Sequence, residues 1–235
     1  MVPEAWDIEL REAACKTARM LLETGSISYD RRHPFRLASG LVSPIHIDCR
    51  RLMSYPTERR ELVALAERMI RHETAEMGED LPDAVAAGEG AGVPFATLLA
   101  DRLDVPLIYV RKEKPEEPFK RQVEGMLEPG WRVLLVEQLA VDGHRKARFA
   151  RPLWEAGAVV SDALVVFQYG IFNDIHDHLA PLGITLHALA NWWDLLEVAR
   201  QDDLLPEEVM SEIAAFLHDP THWSDRGHRT APAAA

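Results

Sequence analysis

Cysteine is nearly absent from this 235-residue chain. The two present, Cys15 and Cys49, are too few for a disulfide framework and stand in no metal-type pair. The natural setting is therefore a reduced one, read as the cytoplasm. Positive charge is scarce as well: 26 Lys and Arg against 38 Asp and Glu leave a formal net charge of −12, which argues against non-specific attraction to nucleic acid or an anionic membrane. Any phosphate must be held by local basic groups. No apolar run approaches the roughly 18–20 residues that span a bilayer, and Met-Val-Pro-Glu-Ala-Trp-Asp7 is no basic-then-apolar leader, so a soluble, unprocessed chain is expected. Also missing are a Gly-x-Ser-x-Gly elbow, a P-loop and the dinucleotide glycine fingerprint. Their absence removes support for Ser-His-Asp chemistry, P-loop ATP hydrolysis and hydride transfer. The densest histidine group, Asp174-Ile-His-Asp-His178, lacks a second ligand pair at a fixed spacing and reads as a solvated helix face, so no metal ligands are assigned.

What is there suffices for a sizeable core, since 47% of the residues are hydrophobic. Apolar periodicity places helices over 7–24, 56 to about 72, 93–103, from about 144, 172–179, 192–199 and 206–217. Pro152 is expected to kink or break the helix that starts near residue 144. Short extended pieces between 27 and 48 suggest a small strand-rich cap, and strands are expected over 84–87, 105–110, 133–136, 159–167 and 185–190. Strands alternating with helices from 84 to 190 imply an α/β fold, a mostly parallel central sheet with helices on both faces. One domain over 1–218 is expected, with residues 1–50 as helix and cap, followed by a polar tail from 219 to 235.

Three loops follow strands in this scheme. Gly88-Glu-Gly-Ala-Gly92 is rich in glycine, which permits positive φ or close backbone approach to a ligand, although a tight turn without a ligand would use it too. Residues 111 to 120 carry Arg111, Lys112 and Lys114, a charge run that reads either as solvated surface or as a pyrophosphate binder. The third begins at Glu137, placed where the strand reaches the open end of the sheet. It passes Gly143 into a helix start, a spacing that suits an anion or an ordinary crossover equally. Ligands of open parallel sheets bind at the carboxyl ends of the strands, where these loops would gather. Glu137 could accept hydrogen bonds from ribose hydroxyls, making a phosphorylated sugar a reasonable ligand.

Five segments together carry a resemblance: Phe35-Arg-Leu-Ala-Ser-Gly-Leu-Val-Ser-Pro44, Gly88 to Pro94, Tyr109-Val-Arg-Lys112, Val123-Glu-Gly125 and Val133 to Gly143. In order and spacing they resemble the orotate phosphoribosyltransferases. The resemblance implies a type I phosphoribosyltransferase-like fold and a Mg²⁺-dependent reaction in which orotate and phosphoribosyl pyrophosphate give orotidine monophosphate and pyrophosphate. It also implies a homodimer whose mobile loop reaches the partner's site. Carried over, it assigns Lys112, Lys114 and Glu137 to catalysis. Arg111, Lys112, Glu137, Gln138, Ala140, Val141, Asp142, Gly143, His144 and Arg145 are assigned to phosphoribosyl pyrophosphate, and Ser39, Gly40, Ser43, His46, Glu89 and Gln168 to the base. Gln138 stands where the family's second acid belongs; it can hydrogen-bond a ribose hydroxyl but cannot stabilise developing positive charge as a carboxylate would. Val141 and Asp142 stand in a loop that usually carries threonines, and His144 and Arg145 offer positive charge instead. The catalytic lysine's place falls on Pro115, leaving Lys114 or Lys120 as substitutes. Two readings follow: a divergent orotate phosphoribosyltransferase, or a paralogue that binds a ribose phosphate in a regulatory role without turnover.

Overall fold

The structure, a computed structural model, describes residues 5–37, 40–116, 121–141, 144–170 and 174–225. Helix α1 (Ala5–Glu23) buries Ala18 and Leu21 and stops at Gly25, whose φ of +66° turns the chain back so that the Ser26 amide caps the Leu21 carbonyl. The cap follows as two antiparallel pairs. Strand β1 (Ile27–Tyr29) takes a later partner, β4 (Ile45–Ile47), while between them β2 (Phe35–Arg36) pairs with β3 (Val42–Ser43). Helix α2 (Pro56–Glu76) starts on a proline, which loses nothing in a first turn, and buries Leu62, Leu65, Ala66, Met69 and Ile70 along one stripe. It runs about one turn beyond the end expected from periodicity.

Thereafter the chain alternates. Strand β5 (Ala84–Gly88) leads to α3 (Val93–Leu103), then β6 (Leu107–Val110), the short β7 (Val123–Glu124), β8 (Val133–Ala140) and α4 (His144–Glu155). Strand β9 (Asp162–Gln168), α5 (Asp174–Leu179), β10 (Thr185–Asn191), α6 (Trp192–Gln201), α7 (Glu207–His218) and α8 (Pro220–Asp225) complete it. The central sheet has six strands in the order β10-β9-β8-β5-β6-β7, and every pairing is parallel except β6 with β7. One core cluster lies on the face covered by α1, α2, α3, α6 and α7; the other holds Phe149, Ala150 and Leu153 of α4 with Ile175 and Leu179 of α5. This is the mostly parallel sheet with helices on both faces that the sequence implies.

Three local expectations change. Strand β8 continues four residues past Val136, because Glu137 does not end it but is itself buried. Helix α4 runs through Pro152 to Glu155 without interruption, held to the sheet by Phe149, Ala150 and Leu153. Residues 220–225, polar enough to read as tail, form α8 instead, anchored by the largely buried Trp223 stacked edge-on against Phe216.

Candidate functional site

The strand order dictates where a ligand can enter. From β5 the chain moves outward to β6 and then returns to the other side of β5 as β8, so the loops after β5 and β8 leave their neighbouring strand ends in opposite directions. Such a switch point opens a crevice at the carboxyl edge. Gly92 occupies it: a Cβ there would lie 2.8 Å from the Val136 carbonyl oxygen and 3.0 Å from the Glu137 Cα, so only glycine lets α3 start against β8. Gly88 is constrained likewise by the ring of Phe149, 2.2 Å from where its Cβ would sit. Protein packing therefore accounts for these two glycines.

Hydrogen bonds tie the three loops together. The Lys112 amide donates to the Glu89 carboxylate (3.0 Å), and the Lys112 carbonyl accepts from the Arg148 guanidinium on α4 (3.1 Å). Arg111 is held along the ribbon: its amide donates to the Gln122 carbonyl (2.8 Å), its Nε to Glu124 (2.8 Å), and its guanidinium lies 5.8 Å from the Tyr109 ring centroid. The Glu124 hydrogen bond holds the Arg111 guanidinium above its ordinary pKa. The Lys112 and Lys114 side chains are exposed, and Lys114 lines an open hollow of about 390 Å³ with Arg121, Val123 and Pro152.

Beneath the loop after β8 lies a buried ion pair. Lys146, third residue of α4, and Glu137 are 1% and 3% exposed, with Nζ 2.9 Å from Oε2. Lys146 also donates to the Leu139 carbonyl (2.6 Å), closing the seven residues from the end of the strand to the helix. Next to this pair, Gln138 is half-buried, and its Oε1 accepts no hydrogen bond among the described residues. Ala140 is buried and its carbonyl accepts from the Tyr169 amide (2.8 Å); Val141 packs on the larger core cluster. Asp142 and Gly143 lie outside the described residues, and of His144 and Arg145 only the backbone, which opens α4, is described.

The cap residues have their own partners. Ser43 is fully buried and its hydroxyl donates to the Ile45 carbonyl (2.7 Å), closing the turn around Pro44. Gly40 sits at a φ of +87° with its amide on the Leu37 carbonyl (2.9 Å), and the His46 ring centroid lies 5.4 Å from that of Phe35. Ser39 is outside the described residues. Gln168 ends β9 between Ala140 of β8 and Asn191 of β10. A separate polar pair, His187 and Asp162 at 2.8 Å, lies toward the opposite end of the sheet. There burial pushes the Asp162 acid up, but hydrogen bonds from His187 and Ser161 outweigh it and hold the group below the usual carboxylate range.

Sequence reading missed Lys146 and Arg148. For Lys146 a signal exists: positions 146, 149, 150 and 153 form the buried stripe of α4, and a lysine on that stripe needs an internal counter-charge.

No profile of a known protein family matches the chain. Individual relatives do. An orotate phosphoribosyltransferase of Roseobacter denitrificans is 39% identical over 225 residues, covering 96% of this chain and 98% of its own. One from Cereibacter sphaeroides is 42% identical over 224 residues, 95% of both chains. Among solved structures, the orotate phosphoribosyltransferase of Aeropyrum pernix superposes with a TM-score of 0.65 at 29% identity, over 77% of this chain and 97% of that one. The UMP synthase of Leishmania donovani gives 0.71 at 26% identity, over 88% of this chain and 42% of that longer one.

Proposed function

Because this chain belongs to the orotate phosphoribosyltransferase family, we propose that it joins orotate to phosphoribosyl pyrophosphate, giving orotidine monophosphate and pyrophosphate. The observation that carries this reading is a likeness that runs through 95% or more of both chains and includes the sheet, the cap and all three loops. The same likeness supports the enzyme over the regulatory paralogue, since the relatives it joins are named for the reaction.

In this reaction the bond from ribose C1′ to the pyrophosphate oxygen breaks as a bond from C1′ to a ring nitrogen of orotate forms, through a ribose with oxocarbenium character. There is little covalent work for the protein, so positioning and charge stabilisation dominate. The exposed Lys112 and Lys114 side chains, at the end of β6, neutralise charge on the departing pyrophosphate; Glu89 and Arg148 hold the backbone from which Lys112 projects. The loop 140–145, with a helix N-terminus behind it, takes the 5′-phosphate. Ribose hydroxyls donate to the Gln138 carboxamide oxygen, which accepts no bond from the described residues. The cap around Gly40, Ser43 and His46 covers the base, with Gln168 at the adjoining strand end.

Mg²⁺ is expected with the sugar diphosphate. Among the described residues no three His, Cys, Asp or Glu side chains converge, a donor set that fits a hard cation held mainly by phosphate oxygens and water. When bound it adds positive charge at the pyrophosphate, and Gln138 Oε1 can accept from one of its waters. A homodimer in the cytoplasm completes the reading; no helix of the described residues is long and apolar enough to cross a membrane.

Calorimetric titration of pyrophosphate tests the assignment. Lys112→Ala and Lys114→Ala should each weaken binding by about tenfold, the worth of one hydrogen bond to a charged group. Unchanged binding in both variants would remove these lysines from the site.

A further inference from the structure

The geometry points to Lys146 as a positioning residue of the sugar-phosphate loop, acting by taking up the Glu137 carboxylate and the Leu139 carbonyl so that Glu137 reaches the substrate only through it. This rests on the phosphoribosyl-transfer reading above. Three observations combine. First, Lys146 is 1% exposed and Glu137 3%, and their charged atoms stand 2.9 Å apart, so each supplies the counter-charge that the other requires in the interior. Second, the same Nζ is 2.6 Å from the Leu139 carbonyl oxygen, which fixes the end of β8 to the first turn of α4. The loop between those two points is the one that meets the 5′-phosphate, and a loop closed at its base loses less freedom on binding. Third, Lys146 lies on the α4 stripe with Phe149, Ala150 and Leu153, all buried, so its ammonium cannot swing out to meet a ligand without unpacking the helix.

The consequence runs against the assignment that the family resemblance suggests for Glu137. A buried carboxylate committed to an internal lysine is not the group offered to the ribose. The neighbouring Gln138, half-buried and with its carboxamide oxygen unclaimed among the described residues, is the one left for that contact. The amide at that position is then compatible with turnover, because the charge balance beneath the loop is internal.

A double-mutant cycle on the full chain decides this, with kcat and the KM for each substrate measured for wild type, Lys146→Met, Glu137→Gln and Lys146→Met/Glu137→Gln. Each single variant leaves one charge buried and uncompensated and is expected to raise the KM for phosphoribosyl pyrophosphate by about tenfold or more, with the KM for orotate changed far less. The double variant, which removes both charges, is expected to be less impaired than either single. Losses that multiply in the double variant would show Glu137 meeting the sugar independently of Lys146 and would overturn the inference. Should the singles not fold, the double variant alone decides: a KM for phosphoribosyl pyrophosphate below about ten times wild type supports the internal pair, and one above it contradicts it. A wild-type protein that makes no orotidine monophosphate would sink the functional reading instead, a result distinguishable from either outcome.

Discussion

At the scale of single residues, the site is built on contacts that leave no spare room. Gly92 has an ordinary φ of −74°, so what restricts it is space, since the Val136 carbonyl oxygen would meet any Cβ at 2.8 Å. That neighbour is strand backbone and cannot swing aside as a side chain would. Gly92→Ala should therefore cost about 1–3 kcal/mol in urea denaturation, the range for overpacking. The same variant should also lower activity, because the push falls on the residue that precedes Glu137. A wild-type midpoint and rate would show that α3 can retreat. The glycine run was legible in the sequence, yet its reason was not: composition gives flexibility, whereas the structure gives a helix and a strand that touch. Lys146 was less legible still. Its place on an apolar stripe is a signal, but the partner, Glu137, lies across a loop and becomes visible only when the strand is seen to run on to Ala140.

At the scale of elements, the cap is held from the far end of the chain. Tyr29 on β1 donates to Glu212 of α7 (2.7 Å), Arg31 lies 3.2 Å from the same carboxylate, and the Val42 amide of β3 donates to Ser224 of α8 (3.3 Å). Burial, then the hydrogen bond and negative charge of Glu212, push the Tyr29 phenol up from 10.0 to about 12. The folded state thus holds this proton more tightly than the unfolded chain, so the stabilisation is full below pH 10.0 and is lost as pH rises through about 12. Tyr29→Phe should flatten that part of the alkaline decline, read as urea stability at pH values on either side of the window; identical slopes would contradict the linkage. The N-terminal strands of the cap were visible in the sequence because proline and glycine punctuate them. Helix α8 was not, because a six-residue polar segment carries too little periodicity and gains its order from one aromatic contact, Trp223 on Phe216.

At the scale of the molecule, the element order was readable almost throughout, since helical and strand periods differ and the chain alternates between them. Strand order was not, because adjacency is a property of the packed sheet. Yet adjacency creates the site: β5 and β8 lie side by side although α3, β6 and β7 separate them in sequence, and the crevice opens there. Around it stand the basic loop tied to Glu89 and Arg148, the loop clamped by Lys146, and the cap clasped by α7 and α8. The central claim is that this assembly makes a nucleotide. Its most direct test is incubation of the purified full-length protein with orotate, phosphoribosyl pyrophosphate and Mg²⁺, with both products quantified over time. Orotidine monophosphate and pyrophosphate should appear together in equal amounts, at a rate that scales with protein concentration. Binding of phosphoribosyl pyrophosphate with neither product formed would contradict it.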